Sequence, residues 1–583
     1  MKSSYINKLF SGVALAAMVG FSACTGDLDQ MPKDPNTLQA NKFAENPREY
    51  LAGVMAKCYS GIAVSGQGGA GSSDISGLDN GTSQYTRALF MLNEFPTDEV
   101  MWIWQDAGVV DLVEGNWGSD NVNIYGTYSR LYTHIAICND FLRLSSPSSL
   151  GENGINVDES LQKDIDQFRL EARALRAMSY YNIIDLFGRA VVAWDDMPYG
   201  EVPQQAESRA ALYDKVVADL EDVLEHFPEG TPVYGRVGKD GVEALLCRFY
   251  LNAGVYTGTP QWAKCYEHAQ NIIRRHQGGG FQGSGLATDY LSLFCSNNDM
   301  FMPGGSLPAQ NEILWGIPYQ YQMTETYGGA SFLILAATTG ATEKFGDGYA
   351  YCNNTWYGLN TGWTCMHARQ QFSEKFGFVN GVSSDKRTAI WITERGGNGF
   401  TITNDDFSTF SNGYLPIKFT NVKCNPDGTM PVYIESDSIP LPRAGVKPVD
   451  ASAPFADTDL PLIRLADVYL MAAECTLNGA GDKATGLQYA NIVRQRAGLS
   501  PWNSAEFNES ILLDERAREL YWECVRRTDL IRHNKFTGNA YNWNWKNGVP
   551  SGTPYAEYRN LYPIPSNVTA VYGSSYKQNP GYN

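Results

Sequence analysis

The chain has 583 residues, 45 Lys and Arg against 63 Asp and Glu, and a formal net charge of −18. So acidic a balance argues against nucleic-acid binding by phosphate neutralisation and against attachment to anionic lipid through a basic patch. Hydrophobic residues make up 43% and supply a large core, while 34 Tyr and 13 Trp suit a surface that holds flat, hydroxylated ligands.

The N-terminus reads as a bacterial secretory leader. Lys2 and Lys8 form the positive region, Leu9 to Phe21 the apolar region, and Ser22 and Ala23 precede Cys24. A cysteine at that point predicts a lipoprotein: residues 1–23 are cut away and Cys24 carries the lipid. The apolar run is shorter than the about 20 residues that a bilayer span needs. Residues 24–45, rich in Asp, Gln, Asn and Pro, read as a flexible tether.

From 46 to 277 helical periodicity dominates. Asn46-Pro47 opens a helix to Ile62 that places Leu51, Val54, Met55 and Cys58 on one face. Ile124–Leu144 repeats this with Tyr128, Leu131, Ile135 and Cys138, and a long third helix carries Ile165, Phe168, Ala172, Leu175 and Met178. Further helices are predicted at Ala210–His226, Asp240–Tyr256 and Trp262–His276. Successive helices joined by short turns predict stacked pairs of tetratricopeptide type, without the strict repeat consensus.

Residues 278–454 are rich in Gly, Asn, Thr and aromatics, and the helical period is mostly lost. A short helix is predicted at Ala368–Phe376, with isolated strands at Ile313–Ile317 and Tyr414–Phe419. A long irregular stretch of this kind is usually functional. From 455 to 583 helices return. Leu462, Leu465, Tyr469 and Ala472 line one, Ala484–Ala497 is a second ended by Gly498, and Leu513, Ala517, Leu520 and Cys524 line a third. The fold class is therefore mainly α: a helix-pair solenoid body built from both ends, carrying a large loop-rich insertion with short strands.

Ten cysteines besides Cys24 are scattered without a CxxC pair. Cys138, Cys247, Cys475 and Cys524 fall in helical patterns and read as buried thiols. Cys352 and Cys365 flank a loop-rich stretch and are the disulfide candidates. Six histidines without HExxH spacing give no sign of a zinc site.

Four stretches carry a family resemblance. Phe168-Arg169-Leu170-Glu171-Ala172-Arg173-Ala174-Leu175-Arg176-Ala177 leads to Tyr180-Tyr181 and Leu186-Phe187-Gly188. Pro461-Leu462-Ile463-Arg464-Leu465-Ala466-Asp467-Val468-Tyr469-Leu470 leads to Ala473-Glu474. Glu515-Arg516-Ala517-Arg518-Glu519-Leu520 precedes Glu523, Arg526-Arg527, Asp529-Leu530 and Arg532. Tyr562-Pro563-Ile564-Pro565 precedes Gln578-Asn579-Pro580-Gly581-Tyr582. Together, behind a lipoprotein leader, they resemble the SusD/RagB family of outer-membrane, surface-exposed glycan-binding lipoproteins. The resemblance is poor over 278–454. It implies one helical body of tetratricopeptide-like pairs, a SusC-like TonB-dependent β-barrel transporter as partner, and an oligosaccharide caught outside the cell. It implies no cofactor and leaves a structural calcium open.

The motif residues themselves read as scaffold, with ion pairs expected at Asp514–Arg518 and Glu523–Arg527, four apart on a helix. A sugar asks for rings to stack on and planar polar groups for paired hydrogen bonds. Two regions offer both. The first is Asp98 to Asp106 with Trp102, Trp104 and Asp106, continuing to Trp117; matching positions in the family often lie beside the glycan. The second runs from Trp315 through Tyr319, Tyr321 and Tyr327 to Trp356, Tyr357, Trp363 and Arg369, and Arg369 opens a stretch resembling one whose arginine faces the binding surface. Trp543 and Trp545 are further candidates, for the transporter contact or the core. The competing reading of each ring is packing of the irregular middle onto the helices.

Two other functions compete. A surface glycoside hydrolase would use two of Asp98, Glu99, Asp106, Asp195 and Asp196, flanking a glycosidic bond. A helical-repeat adaptor that binds peptide would leave the aromatic-rich middle idle. No GxSxG, P-loop or GxGxxG arrangement stands in a suitable context, and the chain reads as a binder and not an enzyme.

Overall fold

The computed structural model describes residues 40–230, 232–298, 309–338, 357–391, 393, 401–403, 406, 412–424 and 453–582. The leader, Cys24, Cys352 and Trp356 lie outside them. Residues 40–45, assigned above to the tether, already form a helix.

The N-terminal half is a run of antiparallel helices: α1 (Pro47–Ala63), α2 (Tyr85–Glu94), α3 (Val122–Leu144), α4 (Glu159–Phe187), α5 (Arg209–His226), α6 (Lys239–Leu251) and α7 (Trp262–His276). Their starts follow local chemistry. The Asn46 side chain accepts from Glu49 N–H with Pro47 in the first turn, and Asp158 accepts from Leu161 N–H at 2.7 Å. Gly188, at φ 68°, lets the chain leave α4. The predicted helix over 240–256 breaks at Asn252, whose side chain donates to the Arg248 carbonyl at 2.9 Å.

Neighbours pack in sequence, α3 on α4, α4 on α5 and α6 on α7. The series continues with helices from the far end of the chain: α7 packs on α10 (Leu465–Leu477), which packs on α11 (Lys483–Arg496) and α12 (Glu509–Leu520). Both ends thus form one solenoid.

The middle is stitched into that body by two small antiparallel sheets. β1 (Val100–Trp102) pairs with β3 (Met366–Ala368), Val100 opposite Ala368. β2 (Ile313–Ile317), at its predicted place, pairs with β4 (Leu460–Arg464), Ile313 opposite Arg464. Leu462 therefore lies in a strand and not on a helix face, with Pro461 tolerated because β4 has a partner on one side only. Tyr414–Phe419 forms no strand, and the predicted short helix shrinks to α9 (Gln370–Glu374). A helix unannounced by periodicity, α8 (Gly329–Ala337), is buried throughout. Its sequence is apolar on every side and so has no amphipathic stripe to read.

The family motifs meet in the core, as scaffold. The Arg464 guanidinium, fully buried, donates to Glu523 at 2.6 and 2.8 Å and to Glu519 at 3.0 Å, and also binds Glu312. Arg387 joins Asp385, Glu515 and Glu519, and Lys418 joins Glu523 at 2.6 Å. The expected pairs along the helix do not form. Asp514 binds Lys375, Arg518 binds Glu515, and Arg527, on α13 (Arg526–Arg532), binds Asp185 of α4. Arg518 thus takes the neighbour three residues back on its own helix, while Asp514 and Arg527 take tertiary partners; Arg527 is buried, where an unpaired charge is far more costly than a broken surface pair. Cys524 is not on α12 but beyond it at φ 60°.

Candidate functional site

The Asp98–Asp106 stretch splits by alternation. β1 ends at Trp102, and Ile103 N–H donates to the Cys365 carbonyl, so the chain stays extended and Trp102 and Trp104 share a face. Trp102 lies underneath. It is 2% exposed, stacks on Phe332 of α8 at 5.8 Å and donates its Nε1–H to Asp106 at 3.2 Å. Trp104 lies over its edge, 36% exposed.

From the second region the fold brings two more rings to Trp104. The Trp363 centroid is 6.0 Å from that of Trp104, and the Tyr327 centroid is 6.0 Å further on, each ring tilted by nearly 40° to the last. Both are half-buried. Trp363 is pinned by its N–H on the Leu335 carbonyl at 2.7 Å. Tyr327 is held by the turn after it, which presses on α2. A Cβ at Gly328 would stand 2.0 Å from the Gln84 amide oxygen, and Gly329 has φ 55°.

Arg87, on α2, completes the arc and was not anticipated. Its guanidinium lies 4.7 Å from the Phe332 ring and 5.6 Å from the Trp363 ring. It forms no ion pair among the described residues, its Nε–H has no acceptor, and one Nη reaches the Tyr327 carbonyl only at 3.4 Å. Burial pushes it below the usual arginine range, while Asp79 and Asp106 favour its charge. Its sequence signal was a lone cation on a helix otherwise lined by Tyr85, Leu89, Phe90 and Leu92.

The remaining candidates do not join the arc. Trp117 is 1% exposed and donates to the Tyr582 hydroxyl at 2.9 Å, locking the C-terminus in place. Tyr319 is buried, its N–H given to Asp459 and its hydroxyl to the Ala63 carbonyl. Arg369 is fully buried and donates to the carbonyls of Phe95, Val100, Val113 and Asn544, so it clamps backbone. Burial pushes its guanidinium down to about 10. Trp315, Tyr357 and Trp543 are core rings as well. Trp356 lies outside the described residues. Asp106 is beside the arc, but Asp98 is held by Arg526 at 2.6 and 2.7 Å, and Glu99 accepts the Trp522 N–H below the surface. Asp195 pairs with Arg176.

Comparison with known proteins agrees with this architecture. The model of the SusD family matches residues 338–582. The chain is 32% identical to the starch-binding protein SusD of Bacteroides thetaiotaomicron, with all of both chains covered. It is 24% identical to a SusD-like protein of Formosa agariphila, over 70% of this chain and 71% of that one. Among solved structures, a SusD superfamily protein from Bacteroides vulgatus superposes with a TM-score of 0.63 at 18% identity, covering 92% of this chain and 99% of the other. Surface glycan-binding protein A of Bacteroides thetaiotaomicron, in complex with laminarihexaose, gives 0.60 at 17% identity, covering 91% and 99%. On full-length similarity and shared fold, the chain belongs to the SusD family.

Proposed function

We propose that the Trp104–Trp363–Tyr327 arc binds an oligosaccharide at the cell surface. The observation that carries this is a run of open rings beside an arginine left without an anionic partner. Sugar C–H faces stack on the rings, and the Arg87 N–H groups donate to sugar hydroxyl oxygens. The starch-binding relative and the laminarihexaose complex support the ligand class. In this reading the protein binds and does not cut: a glycosidase sets two carboxyl groups about 5–9.5 Å apart across the bond, whereas Asp98 is engaged by Arg526, Glu99 by the Trp522 N–H and Asp106 by the Trp102 indole.

In this reading lipid on Cys24 anchors the chain to the outer membrane, and a SusC-like TonB-dependent barrel takes the sugar onward. No helix among the described residues is long and apolar enough to cross a membrane; the acyl chains of the proposed lipid would contribute about 0.8 kcal/mol per buried methylene. Affinity electrophoresis in gels containing starch or laminarin tests the arc. Trp104→Ala should weaken retention about tenfold, the loss of one stacked ring, with the melting temperature nearly unchanged. Undiminished retention would move the site elsewhere. Radiolabelled palmitate should enter the wild type and not Cys24→Ala.

A further inference from the structure

A second cavity, of about 710 Å³, opens on the helical body away from the arc residues. Its volume is within the roughly 300–1,000 Å³ of small-molecule sites. The mouth is formed by the turn between α5 and α6, where Val233 is 64% and Tyr234 37% exposed. That turn is held against β2: a Cβ at Gly235, where φ is 77°, would meet Pro318 at 2.9 Å.

Asp459 lines the interior and is 7% exposed. One carboxyl oxygen accepts the Tyr319 N–H at 2.8 Å, and its backbone is bonded to the Asn298 side chain in both directions at 3.0 Å. The other carboxyl oxygen has no hydrogen-bond partner among the described residues. The start of α6 also lines the cavity and has no side-chain cap, so its first N–H groups are donors awaiting a partner.

The other charges around the cavity are already matched. Lys239 pairs with Glu229, Arg236 with Glu171, and Asp240 with Arg275 and His276. An ionic ligand therefore finds no free counter-charge. Burial pushes the Asp459 carboxyl up to about 8, which leaves it neutral and able to donate as well as accept. An exposed phenol ring at the rim and uncharged hydrogen-bonding groups inside describe a ligand with an apolar face and hydroxyls.

We propose that this cavity is a second binding site, for a short neutral saccharide, with one sugar face on Tyr234 and hydroxyls bonded to the Asp459 carboxyl and the N-terminal N–H groups of α6. The site stands apart from the arc and does not depend on it. The test is ligand-observed NMR with glucose, galactose, mannose, xylose, maltose and cellobiose on Trp104→Ala, and on the same chain carrying Gly279→Phe. Gly279 lines the cavity, and a Cβ there meets only the Asn311 amide at 3.9 Å, so a bulky side chain can be added to the lining at this position without a clash at its Cβ. At least one sugar should give saturation transfer with Trp104→Ala, and that signal should vanish with Gly279→Phe at an unchanged melting temperature. Tyr234→Ala should weaken the same sugar about fivefold, the worth of one aromatic contact. No signal from any of the six, or a signal that Gly279→Phe leaves undiminished, overturns the site. Arc binding is read separately, by gel retention of long glycans, so the two sites fail independently.

Discussion

Arg464 and Arg87 are both arginines set among aromatic rings, and their surroundings differ in one respect. Arg464 has Tyr290 and Phe294 within 6 Å, and three carboxylates, Glu312, Glu519 and Glu523, close on its N–H groups. Arg87 has Phe332 and Trp363 at similar range and no ion pair among the described residues. A complete set of partners locks the first region and leaves nothing for a ligand. The second is stacked for position and left short of acceptors among the described residues, which is why the proposed site is placed there. Pairing, more than residue type, separates scaffold from site.

The largest break in that comparison comes from Arg464→Ala. It takes the shared cation from three buried carboxylates, leaving Glu312 and Glu519 to Arg496 and Glu523 to Lys418, and should cost about 3–5 kcal/mol or abolish folding, read as the denaturation midpoint in urea. A loss under about 1 kcal/mol would mean that Arg496, Arg387 and Lys418 suffice for the three carboxylates. Trp102→Ala should also cost about 3–5 kcal/mol, since it empties the space under the arc. Trp104→Ala, two residues on, should leave thermal unfolding nearly unmoved, and equal melting shifts for the two would contradict their burial.

A third prediction concerns Glu94 and Glu99, buried beneath the same rings. Burial first and Glu99 second push Glu94 well above the carboxylate range, and burial pushes Glu99 up to about 8 against the pull of Arg526. Raised folded values mean stability that is fully present below the ordinary value of 4.5 and lost as pH climbs through about 8. Glu94→Gln removes one titration, so its melting temperature relative to wild type should rise steadily across that window. Parallel curves would show that the pair does not share a proton. The smallest effect on stability is expected from Arg87→Leu, within about 1 kcal/mol, because no ion pair is lost. Glycan retention should nonetheless fall about fivefold, the value of one hydrogen bond to a charged group; unchanged retention would leave the arc to its rings alone.

Much of the body was legible in the sequence. The helix over 262–276 was read at its final bounds, and the strand over 313–317 likewise, because a one-sided apolar stripe and a short β-branched run both carry their own period. α8 was not legible, since an all-apolar segment has no period, and neither was the exchange of helical ion pairs for tertiary ones. Of the residues named as candidates, Trp104, Tyr327 and Trp363 come together in the arc, whereas Trp102, Trp117, Tyr319 and Arg369 lie in the core. Nothing local distinguishes Trp102 from Trp104.

The sequence by itself determined most of the helices of the body and the motifs that place the chain in its family, because periodicity, capping and motif spacing are properties of neighbouring residues. Only the tertiary structure decided which rings remain open and which arginine remains unpaired. Exposure depends on what arrives from elsewhere in the chain: Phe332 from α8 closes over Trp102, Tyr582 from the last turn closes over Trp117, and no acidic side chain among the described residues arrives to pair with Arg87.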